Sequence, residues 1–400
     1  QAGLALTARS SLFLIAFYTI SFAIYLWLGF VWQRLPRPDG LLWIFLAGVL
    51  GRLVHFFSLP GGSDDVYRFL WDGRLLLLGE NPYLTLPVTR HEDPLSASDP
   101  LIDSLYAELN SSHYFTVYPP LMQAFFALAA LTGSAGGGIF LLRLLAFCVD
   151  LCLFFLCQRR GKQSVIRAFW LCPLWIYEGV GNLHLEVFAA TFLILALEST
   201  RPAPRVLALM AALQSKLWPL LLWPLFLVRS RHFALWTLAL LVQFPLLILM
   251  GGGDWPYPFF AGLALYSESF LFNPGPLQWL REFFELPRST LTSAAGILAG
   301  LFALFSAHLR HRPAAEVAGN ILMLYLLVSF CVHPWYILPL IVLQPWRPSV
   351  VAWSYLIFLS YLGYRTTPAT VPDLVLILEY GVVTLILLLE WVCGKNSLEK

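Results

Sequence analysis

Charge is what this chain has least of. Aspartate, glutamate, lysine and arginine make up 12% of its 400 residues, against about 25% in soluble globular domains, so it lacks the polar surface that a water-soluble fold of this size needs. An excess of positive charge is missing too. The net charge is +2 and no Lys/Arg-rich arm is present, which excludes a chain built to hold polyanions, and no nucleic-acid partner is expected. Cysteine is scarce, at six residues, and no set of them has disulfide or metal-ligand spacing. Cys148, Cys152 and Cys157 share one apolar run and read as small hydrophobic filler. Internal repeats are absent, and nothing marks off a second domain, so a single domain over 1–400 is expected.

What the chain has in abundance is hydrophobic residues, at 59%. Apolar runs of spanning length or close to it lie at about 11–32, 41–59, 139–157, 204–228, 232–250, 289–308, 316–332 and 373–393, and shorter ones at about 118–133, 165–178, 183–198, 334–345 and 350–364. They predict an all-α polytopic membrane protein with roughly eleven to thirteen transmembrane or re-entrant helices, several too short to cross a hydrocarbon core of about 30 Å alone. The first run is longer than a signal-peptide core and lacks a small-residue cleavage site, so a retained helix is expected.

Basic residues orient the bundle. Arg34/Arg37, Arg159/Arg160/Lys162, Arg201/Arg205, Arg229/Arg231, Arg310/Arg312 and Arg347 lie in short connections, which the positive-inside rule makes cytoplasmic. The opposite face then receives a long first loop, 60–117, a second loop, 251–287, and the turns at 182–186, 333–336 and 365–372. Between 117 and 158 the crossing must be odd in number, so one of two apolar runs there, 118–133, is expected to be re-entrant or to lie along the surface. Such broken segments are tolerated where they line a protein-enclosed or watery cavity.

The outer face collects the unusual residues. Asp64, Asp65, Arg68, Asp72 and Arg74 follow a long apolar run, and carboxylates at a membrane edge need water, a partner or a substrate. Residues 65–78 read as a short helix within a loop, with Asp64/Asp65, Arg68 and Asp72 on one face and Phe69, Leu70, Leu76 and Leu77 on the other, toward the membrane interface. The carboxylates suit a general base with a cationic anchor, an interfacial helix held by local salt bridges, or a divalent cation, a weaker reading without a third carboxylate. Tyr118, before two prolines, marks the mouth of a pocket or simply a helix start. His184 and Glu186 suit a hydroxylated or anionic ligand, or a structural pair. Lys216, in the middle of an apolar stretch, meets an anion or an aqueous cavity, or snorkels. His333, with Tyr336 nearby, and Arg365 lie at outer helix ends, where a cation binds phosphate or faces solvent.

Taken in order, Ser63-Asp64-Asp65-Val66-Tyr67-Arg68 through Trp71-Asp72-Gly73-Arg74, then Gly79-Glu80-Asn81-Pro82-Tyr83, Val117-Tyr118-Pro119-Pro120, Asn182-Leu183-His184-Leu185-Glu186, Lys216-Leu217-Trp218-Pro219 and His333-Pro334-Trp335-Tyr336, the chain resembles the bacterial mannosyltransferase-like members of the GT-C glycosyltransferases. The resemblance runs from about residue 40 to 345, and its first block is the specific one. It departs from the family where Leu183-His184-x-Glu186 stands for the usual Gly-His-x-Asp, and Lys216-Leu217-Trp218-Pro219 for Lys-x-Tyr-Pro. The resemblance implies a GT-C-type bundle with a long exoplasmic first loop whose leading aspartate, Asp64, is the catalytic base, with Asp65 beside it. It further implies a polyprenyl-phosphate sugar donor, a glycolipid or glycan acceptor, and transfer of a mannose or other hexose with inversion.

In that reading Arg68, Asp72, Arg74, Tyr118, His184, Glu186, Lys216, His333, Tyr336 and Arg365 bind substrate, the cations among them receiving the departing phosphate. No cofactor is expected, and no metal, although a divalent ion is compatible. The setting implied is the bilayer of a bacterial inner membrane with the site facing outward. Two other functions fit the same features, a transporter or flippase of polyprenyl-linked sugar and a non-catalytic scaffold of an envelope assembly.

Overall fold

A computed structural model of the chain describes residues 8–31, 39–96, 98–229, 237–238, 241, 256–366 and 369–398. Among these, every regular element is helical apart from one bridge pair between Phe272 and Cys331. Five helices are long and apolar enough to cross a membrane: Ser11–Val31, Gly40–Phe57, Ala135–Arg159, Arg288–Ala307 and Asp373–Cys393. A sixth span results if Pro173–Gly181 and Glu186–Glu198, bent by 112°, are taken as one. Shorter apolar helices run over Pro120–Ala130, Trp218–Arg229, Ala314–Leu327 and Pro334–Leu343. The chain is an all-α polytopic membrane protein. The apolar run at 232–250 and the basic residues Arg34, Arg37 and Arg231 lie outside the described residues.

Two compact units interleave along the sequence. One comprises Arg52–Leu153 with Gly179–Phe270, the other the described residues of Ala5–Gly51, Phe154–Glu178 and Leu271–Lys400.

In the first unit the Asp65–Leu77 helix packs against the Pro120–Ala130 helix. Gly73 makes this possible, because any Cβ there would collide with the main chain of Phe126. Phe69 stacks on Phe126 at 4.5 Å between ring centroids, with Tyr118 set edge-on to Phe69 at 4.9 Å. Phe69 and Leu70 are therefore buried in protein, which corrects their expected place in the membrane interface; only Leu77 and Leu78, at the far end, are exposed. The first loop is expected to carry short interfacial helices, of which the residues locate this one. The structure adds Pro87–Glu92 and Pro100–Tyr106, each opened by a proline whose fixed φ suits a first helical turn. At 11 residues and about 1.5 Å of rise each, Pro120–Ala130 is too short to cross a bilayer, as the crossing count required. The predicted 204–228 run is broken too, because the Pro202–Ser215 helix stops where Lys216 turns extended and a 3₁₀ turn begins at Trp218.

The second unit shows how an apolar helix can have two different faces. Along Ala8–Val31, Tyr18, Phe22 and Tyr25 point inward, while Phe13, Phe17, Ile20, Ile24 and Trp27 are exposed at three- and four-residue steps, a stripe suited to lipid. Along Arg288–Ala307 the buried residues are Ala295, Ala299, Ala303, Ser306 and Ala307. Small side chains every fourth residue let the backbone approach the neighbouring Ala314–Leu327 helix closely.

Candidate active site

The Asp64 turn is shaped by backbone donors that need partners. Gly61 and Gly62 donate their N–H groups to Asn182 Oδ1 at 3.2 and 3.0 Å, and Asp65 N–H donates to Ser63 Oγ at 3.2 Å. Asp64 occupies the cap position of the Asp65–Leu77 helix, yet its side chain accepts no helix N–H. Its carboxylate is left available to something else. Burial, together with the charges of Asp65 and Glu108, pushes its pKa up to about 6. Burial raises Asp65 as well, opposed by the Lys216 ammonium and by hydrogen bonds from Asn110 and Ser63.

Lys216 arrives from the broken segment. Its Nζ lies 3.1 Å from Glu186 Oε1, with 24% of the lysine side chain exposed and 2% of the glutamate, and 5.7 Å from the centre of the Tyr118 ring. The helix break is what aims it there: an extended residue at the end of Pro202–Ser215 leaves the helix surface, and Gln214 Oε1 ties that end to Leu121 N–H at 3.3 Å. His184 is buried between Gly181 and the Glu186–Glu198 helix, in a turn where Leu183 adopts φ 63°. Asp64, Asp65, Tyr118, Glu186 and Lys216 thus form one electrostatically linked group, in which a lysine sits among carboxylates.

Arg68, Asp72 and Arg74 have other engagements. Arg68 Nε donates to Asp72 Oδ1 at 2.7 Å, and its Nη1 to the carbonyls of Ser111 and Tyr114 at 2.9 and 2.8 Å. Asp72 Oδ2 accepts from Gln123 at 3.2 Å. Arg74 pairs with Asp99 Oδ2 at 2.6 Å, while Asp99 Oδ1 caps the Pro100–Tyr106 helix through Leu101 and Ile102; the Arg74 hydrogen bond holds the Asp99 carboxyl below its usual range. These three residues hold the 60–117 segment in shape, and its next stretch is tied by the Arg90–Glu80 pair at 2.7 Å.

His333, Tyr336 and Arg365 belong to the second unit. The His333 ring lies between Phe272 and Trp335, at 4.6 and 4.3 Å and nearly parallel to both, with Tyr336 edge-on at 5.5 Å. Arg365 is exposed at the end of the Ile357–Arg365 turn. Among the described residues no group of three or more His, Cys, Asp or Glu is placed to hold a metal ion, so no ligand set is put forward for one.

Sequence reasoning passed over two charges inside the run at 139–157. Asp150 pairs with Arg52 at 2.6 Å, both fully buried, and Arg143 reaches the main chain of Ser58, Val180 and Gly181. The signal was there, since an ionisable residue within a spanning segment is a functional candidate by default.

Spanning helices and a buried acid–base cluster at a broken one define a polytopic integral membrane protein with a candidate active site. Residues 5–232 match the family described as alpha-(1→6)-mannopyranosyltransferase, N-terminal domain. The match covers more than half of the chain, which belongs to this GT-C-type mannosyltransferase family and is a glycosyltransferase. Comparison with curated proteins and with solved structures finds no match.

Proposed function

We propose that the chain moves one mannosyl residue from a polyprenyl-phosphate donor to a hydroxyl of a lipid-linked or envelope glycan, at the outer face of a bacterial inner membrane and with inversion. The carrying observation is Asp64, a carboxylate at a helix end that caps nothing there and has a pKa of about 6. A hydroxyl is a weak nucleophile until its proton is accepted, and a base with a pKa near the working pH does this best. In the proposed step Asp64 takes the acceptor's proton, the acceptor oxygen bonds to the anomeric carbon, and the carbon–oxygen bond to phosphate breaks. Polyprenyl phosphate departs with the electron pair, and Lys216 and His184 are assigned to its charge.

Asp65, engaged with Ser63, Asn110 and the Lys216 charge, is assigned to orienting Lys216 and raising the basicity of Asp64. Glu186 holds Lys216, and Tyr118 lines the mouth. Arg68, Asp72 and Arg74 are assigned to shaping the loop. His333, Tyr336 and Arg365 are assigned to substrate on their chemistry alone.

Purified protein in nanodiscs, given radiolabelled polyprenyl-phosphate mannose and a synthetic alkyl α-mannoside, is expected to yield a labelled disaccharide, and Asp64→Asn to yield none while remaining folded. Full transfer by Asp64→Asn removes the proposed base, and a donor that crosses the bilayer chemically intact makes the chain a transporter.

A further inference from the structure

Arg143 is an arginine side chain within the Ala135–Arg159 spanning helix, 1% exposed. Such a residue is costly at membrane depth and is kept there by its partners. Its partners are carbonyls. Nε donates to Val180 O at 3.1 Å, Nη2 to Gly181 O at 2.8 Å, and Nη1 to Ser58 O. The guanidinium therefore joins two chain segments far apart in sequence, one leading to Asp64 and the other to His184 and Glu186. One residue further along, Asn182 Oδ1 accepts from Gly61 and Gly62 and joins the same two segments again.

Both segments have irregular backbone that regular structure does not hold in place. Tyr177–Gly181 forms a π turn, a form that recurs at functional sites, and Leu183 has φ 63°. Pro60 to Asp64 forms no helix of its own. Three carbonyls aimed at one planar fork are an arrangement that a lysine cannot reproduce, because its ammonium is a single point with rotating donors.

We infer that Arg143 and Asn182 are positioning residues which fix the turn carrying Asp64 against the turn carrying His184 and Glu186, so that base and phosphate-side groups keep one spacing. The inference rests on the proposed role of Asp64. Misplacement of a reacting group by about 1 Å costs up to about 100-fold in rate. Arg143→Lys and Asn182→Ala are each expected to lower kcat about 10- to 100-fold, normalised to folded protein, with KM for polyprenyl-phosphate mannose changed less than about threefold.

The acid limb of the rate profile discriminates further. A loosened turn admits water to Asp64, so the limb moves below about pH 6, whereas a smaller folded fraction leaves it in place. Asn182→Asp, which keeps the acceptor oxygen, is expected to recover most of the rate. Because both residues act on one turn, the double variant falls little further than the worse single one. Unchanged kcat in Arg143→Lys and Asn182→Ala, or lowered kcat with the limb still at about 6, overturns the inference. Should Arg143→Lys fail to fold, the Asn182 pair decides by itself. The reading of Asp64 fails separately, through an active Asp64→Asn.

Discussion

Asp64 stands where a helix usually takes its cap, and leaves the cap unmade. Its pKa of about 6 has two causes with different remedies, burial first and the charges of Asp65 and Glu108 second. The rate of transfer is therefore expected to rise with pH through an apparent pKa near 6 and to level off above about 7. Glu108→Gln removes one repelling charge and is expected to move that limb slightly acidward with kcat intact; Asp65→Asn moves it further. A limb that stays put in both variants leaves burial as the sole cause.

The same shift bears on stability. The folded pKa lies above the ordinary aspartate value of 3.8, so the stabilising contribution of the protonated group is full below about pH 4 and lost as pH rises through about 6. Asp64→Asn avoids the charged form altogether. It is expected to raise stability at pH 7.5 by about 1–2 kcal/mol, discounted for partial exposure, and to bring no gain near pH 4; thermal melts at the two pH values check this.

At the scale of elements, the tightest demands fall on two positions. Gly73 lies against the main chain of Phe126, so Gly73→Ala forces the Asp65–Leu77 and Pro120–Ala130 helices apart. A loss of about 3 kcal/mol is expected, near the upper end for overpacking because backbone cannot move aside as a side chain does. Leu183 is the opposite case, a leucine in the left-handed region that favours glycine. An L-residue there carries about 1–2 kcal/mol of strain, while the buried side chain gives something back. Leu183→Gly is expected to be more stable than Leu183→Ala by about 1 kcal/mol, reversing the usual order of the two residues, as a Tm comparison would show. The sequence resemblance had marked this position, where the related pattern has glycine. Only the backbone angle says why glycine suits it.

For the whole molecule, the mannosyltransferase family match and the spanning helices agree on a membrane glycosyltransferase, and the remaining question is which way it faces. By the positive-inside rule the lysines and arginines are expected to leave 60–117 on the outer face. In a cysteine-free background, a cysteine replacing Leu95, which is 91% exposed, is expected to react with an impermeant maleimide in intact spheroplasts. One replacing Arg160, in the exposed turn after the Ala135–Arg159 helix, is expected to react only after permeabilisation. The reverse pattern inverts the topology and with it the side on which transfer takes place.

Much of this was legible in the residues alone. The membrane class, the long apolar helices and the short Pro120–Ala130 segment follow from hydrophobicity and proline, which act over stretches of about 20 residues or fewer and so are written locally. The break at Lys216 and the helices inside the expected loops, Pro87–Glu92, Pro100–Tyr106, Pro256–Ser269 and Leu277–Phe284, were not legible there. Charge pairing was not legible, since it depends on which helices become neighbours. Arg68 and Asp72, four apart on one helix, were bound to meet. That Arg74 goes to Asp99, Lys216 to Glu186 and Arg143 to three carbonyls was decided by packing between segments 25 to more than 80 residues apart. The sequence by itself determined an oily helical chain with a cluster of carboxylates directly after an apolar run. Only the tertiary structure, by burying some of those charges against partners while the Asp64 side chain accepts no N–H of the helix it precedes, decided which of them are engaged and which are not.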